Sequence, residues 1–177
     1  MSPRSLGDLS RPERRRATLR TAVVIAVAWL AVFGVYFAIP LDRQHGKIGL
    51  QLLLSVLAFL GAAIWEVVRI LRSDLPQLRA AEAIGVLVPL FIALFSAIYL
   101  VMATDGTGQF TESLDHLDAV YFTVTILATV GFGDIAAVSP GARAVVTVQM
   151  LLDIAIVATL AKVILGAARL SLGRRPS

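Results

Sequence analysis

The sequence predicts an all-α membrane protein with four transmembrane helices and a re-entrant helix and loop between the third and the fourth. The first observation is composition: 58% of the 177 residues are hydrophobic, against roughly 45–50% in soluble domains. The second is that the apolar residues gather in runs near bilayer length, for which roughly 17–25 residues are needed. The chain has no cysteine, which excludes disulfides and thiolate metal sites.

Four apolar runs reach or approach the length of a span. The first extends from Thr21 to Pro40 and carries no charge. The second extends from Ile48 to Ile64, the third from Ala83 to Ala103, and the fourth from about Ala144 to Ala161. A fifth run, Ala119 to Val130, is too short to span. The sequence therefore predicts a short helix that enters the membrane and returns.

The charges predict the orientation of the spans. Basic residues adjoin the apolar runs in "RPERRRATLR" (Arg11 to Arg20), in "RILRSDLPQLR" (Arg69 to Arg79), and in the tail. Such clusters favour the cytoplasmic side and attract anionic headgroups. We therefore expect a multi-pass plasma (inner) membrane protein with both termini cytoplasmic. Because the basic residues behind the net charge of +4 adjoin the apolar runs, we expect them to contact membrane lipid and expect no nucleic-acid partner.

The short apolar run leads into the stretch "ILATVGFGDI". Ser113 or Asp115 is a good N-cap for a helix that continues to about Ala128. Non-helical backbone at membrane depth persists only where it is buried in protein or lines a water-filled cavity. Gly131 and Gly133 take φ > 0 without a Cβ penalty, so successive carbonyls can face one axis. Such carbonyls replace the hydration shell of a monovalent cation, and the bare backbone would then be the ligand.

The string "TVGFGD", Thr129 to Asp134, resembles the selectivity filter of potassium channels, and the similarity extends over about Ser113 to Leu165. The resemblance implies a pore domain of outer helix, pore helix, filter and inner helix over residues 81–168. Before it lie a basic cytoplasmic N-terminus, 1–20, and two transmembrane helices with a cytoplasmic loop, 21–80. A short basic tail, 169–177, follows. One chain supplies one filter loop, whereas the family's filter needs four, which implies a homotetramer.

By this resemblance the protein is a potassium-selective channel and not an enzyme, with K+ as permeant ion and no cofactor. The carbonyls that would form the K+ sites are those of Thr129, Val130, Gly131 and Phe132. The Thr129 hydroxyl would close the innermost site, Gly133 would complete the filter, and Asp134 would stand behind the outer mouth.

Three positions depart from the family's common pattern. Phe132 stands where many members carry tyrosine, which removes a hydroxyl tether to the pore helix. Ala128 stands where threonine or serine is frequent, and Thr125 where some members place a glutamate that pairs with the aspartate. These departures keep open the alternative of a weakly selective K+/Na+ channel.

Asp153 is a carboxylate within the fourth span, where a charge costs about 2.5–3.5 kcal/mol on insertion scales. One alternative places four copies around a water-filled cavity, where they would concentrate cations. The other packs Asp153 against a neighbouring helix, hydrogen-bonded to Gln149 one turn earlier. Ile154, Val157 and Ala161 follow helical spacing and are candidates for the cavity or gate, although ordinary packing gives the same spacing.

The first two spans lack the repeated basic residues of a voltage sensor. The short stretch after the fourth span predicts no ligand-binding domain in this chain. Two other classes of protein are alternatives to a channel. A membrane enzyme built on Asp153 and His116 lacks a nucleophile, metal cluster or cofactor motif between them. A non-conducting subunit that keeps the pore fold would be indifferent to alanine at Gly131 or Gly133.

Overall fold

The computed structural model describes residues 10–39, 76–105 and 108–172, and the helical positions 56, 57, 59, 61, 62, 65 and 69. This part of the chain contains four continuous helices: α1 (Arg11–Ala38), α2 (Pro76–Asp105), α3 (His116–Leu127) and α4 (Pro140–Leu172). Three segments are long and apolar enough to cross a membrane: Arg11–Ala38, Arg79–Thr104 and Pro140–Thr159. They contain most of the first, third and fourth predicted spans. The second, Ile48 to Ile64, lies largely outside the described residues.

Helix α1 begins ten residues before the predicted first span, so the basic run from Arg11 to Arg20 is itself helical. The Glu13 carboxylate accepts hydrogen bonds from the Ser10 backbone N–H at 3.0 Å and from the Ser10 hydroxyl at 2.6 Å. Pro12 lies in the first turn, where a missing N–H costs nothing. These features explain why the helix starts before the apolar residues do.

Helices α1 and α2 pack closely at Gly85. A Cβ atom built on Gly85 would lie 2.5 Å from Cγ1 of Ile25, and Trp29 Nε1 donates a hydrogen bond to the Gly85 carbonyl at 3.1 Å. Small residues allow membrane helices to approach in this way. Pro89 lies inside α2, which remains one 30-residue helix.

An aromatic core joins α2 to α3 and to the segment between them. The Tyr99 ring meets Phe122 edge-on at 5.0 Å between centroids and Phe110 at 5.8 Å. All three rings are buried, as are Phe91 and Phe95 on α2. Edge-to-face pairs of this kind stabilise beyond their buried area, and they fix α3 against α2.

A short backbone pairing outside the helices fixes the chain that follows α3. Phe110 and Ala137 form an antiparallel bridge, Thr111 N–H donates to Ala136 O at 3.0 Å, and Val138 N–H donates to Gln109 O at 2.9 Å. We call residues 129–134, with the sequence TVGFGD, the glycine stretch. The segment after it is therefore held by the segment before α3. The glycine stretch lies between two anchored ends.

Candidate functional site

Helix α3 has a well-formed N-terminus at Asp115, which confirms one of the two predicted N-caps. Asp118 N–H donates to Asp115 Oδ1 at 2.8 Å, and Asp115 N–H donates to Asp118 Oδ2 at 3.1 Å. The Asp118 N–H bond holds the pKa of Asp115 below its usual range. The helix ends at Leu127 after 12 residues, or about 18 Å at 1.5 Å per residue. It is too short to cross a bilayer core of about 30 Å.

The φ angles of the backbone after α3 alternate in sign. The φ angles are +57° at Thr129, +51° at Gly131 and +80° at Gly133. Left-handed backbone at every second residue turns successive carbonyls toward one side, and glycine adopts it at little cost. The positive φ was expected at the two glycines; Thr129 was not foreseen. A side chain in this region costs about 1–2 kcal/mol, so surrounding contacts must hold Thr129 there.

Those contacts come from the last turn of α3. Thr129 N–H donates to Ile126 O at 2.8 Å, while the N–H groups of Val130 and Gly131 both donate to Thr125 O, at 2.9 and 3.2 Å. We call this backbone, residues 128–131, the filter foot, after the selectivity filter that the sequence resembles. The buried Thr125 hydroxyl donates within α3 to Phe122 O at 2.8 Å. Thr125 therefore holds the filter foot through its carbonyl.

Tyr121 supports the outer half of the stretch and was missed by the sequence analysis. Its hydroxyl donates to Asp134 Oδ2 at 2.7 Å, and its ring stacks on Phe132 with centroids 6.4 Å apart and planes 1° from parallel. This bond holds the pKa of Asp134 below its usual range and raises the pKa of Tyr121. Helical spacing was the available signal, because Tyr121 and Thr125 lie four residues apart on one face of α3. Tyr121 thus gives Asp134 a partner from α3, in place of the glutamate that is absent at Thr125.

Residues 128–134 are exposed on the single chain. Val130 is 53% and Phe132 71% accessible, although both are apolar. Ile154 and Val157, two candidates for the cavity or gate, are 66% and 51% accessible on α4, and Ala161 is exposed as well. Contiguous exposed apolar surface marks a site of contact with protein or membrane.

Asp153 lies inside the chain, with only 3% of its surface accessible. Gln149 Nε2 donates to its Oδ2 at 3.4 Å. This is the second of the two predicted arrangements. The cavity arrangement requires a carboxylate on the surface of each chain, so it does not match this geometry. The physical reason is that Asp153 lies one turn after Gln149 on α4 and bonds to it, and the Gln149 amide in turn contacts Tyr99 on α2 and Thr123 on α3.

His116 links α3 to α1. Its Nε2 lies 3.1 Å from Ile39 O, and its own carbonyl accepts a hydrogen bond from the Tyr36 hydroxyl at 3.0 Å. Within the described residues, no group of three or more His, Cys, Asp or Glu side chains is placed to hold a metal ion. Its two hydrogen bonds make His116 part of the contact between α1 and the start of α3.

Comparison with known proteins identifies the same part of the chain. Residues 87–169 match the family model described as "Ion channel". The matched segment contains most of α2, all of α3, the glycine stretch and nearly all of α4. No curated protein and no solved structure matches the chain. The match supports an ion-channel domain with passive ion-channel activity, and the apolar helices support a membrane protein.

Proposed function

We propose that the protein is a potassium-selective channel that conducts K+ passively through a pore formed by four copies of this chain. One observation supports this most: the left-handed backbone at Thr129, Gly131 and Gly133, at the end of a helix too short to span. An ordinary turn needs one such residue or two. A regular alternation over five residues aligns carbonyls along a line, as a row of cation sites requires.

The proposed ion sites would follow from such an alignment. The carbonyls of Thr129, Val130, Gly131 and Phe132 take the place of water around a dehydrated K+, and the Thr129 hydroxyl closes the innermost site. The C-terminal end of α3 precedes the stretch, and its dipole favours a cation there. A single chain offers carbonyls from one side only. The exposure of residues 128–134 supports a ring of four chains that surrounds the ion.

The orientation of the channel rests on the basic end of α2. Glu82 is buried, Arg79 Nη1 donates to both of its carboxylate oxygens at 2.9 Å, and Arg69 Nη2 lies 3.5 Å from its Oε1. The Arg69 guanidinium also lies over the Trp65 ring, 4.4 Å from its centroid. Aromatic and basic side chains together are typical of the membrane interface. We place this end, and both termini, on the cytoplasmic side of the plasma (inner) membrane, next to anionic lipid.

The exposed face of α4 completes the proposal. Ile154, Val157 and Ala161 lie at helical spacing on this face and are proposed to line the cavity or inner gate below the filter. Their apolar side chains would offer no ligand to the ion, so selectivity would reside in the filter backbone.

The test is a reversal potential in planar bilayers, with potassium on one side and sodium on the other. A reversal close to the potassium equilibrium value is expected for an intact carbonyl filter. A reversal near zero with robust current would replace the proposal with a weakly selective cation channel. The variant Gly131→Ala/Gly133→Ala should abolish current. If the wild type carries neither a potassium nor a sodium current, the chain is instead a non-conducting subunit.

A further inference from the structure

A cluster of buried polar side chains lies where α2, α3 and α4 meet. Tyr99, Gln149, Thr123 and Ser96 are each 0% accessible and Asp153 is 3% accessible. Buried polar groups in a membrane segment are costly unless each finds a partner. Such a cluster is therefore stable only where its members bond to one another.

Gln149 is the centre of this cluster because its amide bonds to all three helices. Its Oε1 accepts from the Tyr99 hydroxyl on α2 at 2.6 Å. Its Nε2 donates to the backbone carbonyl of Thr123 on α3 at 3.1 Å and to Asp153 Oδ2 on its own helix at 3.4 Å. An amide nitrogen has two hydrogens to donate, so both are used. Turning the amide over would place its oxygen against two acceptors, and its orientation is thereby fixed.

The carbonyl that Gln149 holds lies close to the filter foot. Thr123 precedes Thr125 by two residues, or about 3 Å along the helix axis, and Thr125 O accepts the N–H groups of Val130 and Gly131. The Thr123 side chain is held as well, because Ser96 Oγ donates to its Oγ1 at 3.1 Å. The last turn of α3 is thus fixed by side chains from both α2 and α4.

Asp153 restricts Gln149 further. Among the residues that the structure describes, Asp153 Oδ1 has no hydrogen-bond partner, so the Gln149 amide is the group that satisfies this carboxyl. Any rotation of Gln149 away from Thr123 would also leave Asp153 without a donor. The two side chains, one turn apart on α4, therefore hold the amide on the α3 carbonyl.

We propose that Gln149 is a positioning residue for the filter: its amide fixes the last turn of α3, and through the Thr125 carbonyl it holds the filter foot in its left-handed conformation. This rests on the proposed function, because the filter is the site that is positioned. It assigns to Gln149 and Tyr99, neither of which touches the filter, an effect on the filter's conformation and selectivity.

The experiment measures hydrogen exchange at the filter foot by mass spectrometry of the full-length channel in lipid nanodiscs. The variants are Gln149→Leu, which removes both donors and the acceptor at similar size, and Tyr99→Phe, which removes one hydroxyl and keeps the ring packed. A neutral hydrogen bond changes an equilibrium by about two- to tenfold. We expect exchange in peptides covering residues 125–134 to rise by about that factor in Tyr99→Phe and at least as much in Gln149→Leu.

The matched control is Tyr36→Phe, which removes a hydroxyl bonded to the His116 carbonyl at the opposite end of α3. Exchange at the filter foot should stay at the wild-type rate in this variant. Because the two residues act through one contact, Tyr99→Phe should have no further effect in the Gln149→Leu background. A uniform rise over all helices, an effect of Tyr36→Phe equal to that of Tyr99→Phe, or an unchanged rate in both test variants would overturn the proposal.

Exchange is measured without current, so the inference and the proposed function can fail separately. The potassium-to-sodium permeability ratio of the same variants is the second readout. A wild type that is not potassium-selective would refute the proposed function while the exchange result stands. A selective wild type whose ratio and foot exchange are both unchanged in Gln149→Leu and Tyr99→Phe would refute the inference alone.

Discussion

Replacing Gly133 by alanine should abolish potassium conduction through backbone strain alone. Gly133 has φ +80°, and a Cβ built there meets no atom within 4 Å in the chain, so the substitution introduces no collision within the chain. The cost is conformational, about 1–2 kcal/mol per chain for a side chain in left-handed backbone. The chain relieves this cost when the peptide between Phe132 and Gly133 rotates, which turns the Phe132 carbonyl away from the ion.

The size of the effect follows from the number of chains. A cost of about 1–2 kcal/mol shifts the ratio of the conductive to the rotated conformation about 5- to 30-fold against conduction in each chain. In a pore of four chains, all four must be conductive at once, so the reductions multiply. Current in symmetric potassium should therefore fall below detection in Gly133→Ala.

Gly108 provides the matched control for this prediction. Its φ is +85° and a Cβ there also meets nothing within 4 Å, but it lies in the segment between α2 and α3, outside the glycine stretch. Gly108→Ala should cost similar stability and keep the wild-type reversal potential. Planar-bilayer recordings of both variants decide the matter. Wild-type conduction by Gly133→Ala, or equal loss of current in Gly108→Ala, would refute the reasoning.

The Tyr121 hydroxyl lowers the pKa of Asp134, so their contact is formed above the ordinary aspartate pKa and is lost as the pH falls through the lowered value. Tyr121→Phe removes the bond that lowers the pKa of Asp134, so Asp134 should become protonated at a higher pH. If its protonation reduces the current, the midpoint of that loss should move to higher pH when the outer solution is titrated; an unchanged midpoint would contradict this. Gly85→Ala should destabilise the protein by about 1–3 kcal/mol through its contact with Ile25, whereas Gly34→Ala, with nothing within 4 Å, should be neutral or stabilising. The free energies of unfolding of the two variants are compared in mixed micelles. Equal stability of Gly85→Ala and Gly34→Ala would contradict a close contact between Gly85 and Ile25.

Hydropathy predicted the helices well because it is a local property. An apolar run of bilayer length becomes a helix whatever its neighbours are. The N-cap at Asp115 was also predictable, since a cap depends on a few adjacent residues. Helix α1 extends beyond the predicted first span, which begins at Thr21, because the basic residues from Arg11 onward are helical as well. Hydropathy does not register a helix that continues into water.

The supports of the glycine stretch were harder to predict. Phe132 and Thr125 stand out in the sequence for groups that they lack, but no motif indicates that Tyr121 supplies a hydroxyl to Asp134. The left-handed conformation of Thr129 was also missed, since threonine rarely adopts it. Both depend on how the chain folds back onto the end of α3, which involves contacts between residues several turns apart.

The sequence by itself determined where the spans and the glycine stretch lie, because chain polarity and backbone permissiveness are properties of single residues and their near neighbours. Only the tertiary structure decided the side to which Asp153 turns. Asp153 bonds to Gln149, whose amide also contacts Tyr99 and Thr123 on two other helices, far away in the chain. A buried polar group must find a partner, and the choice of partner depends on which helices pack together.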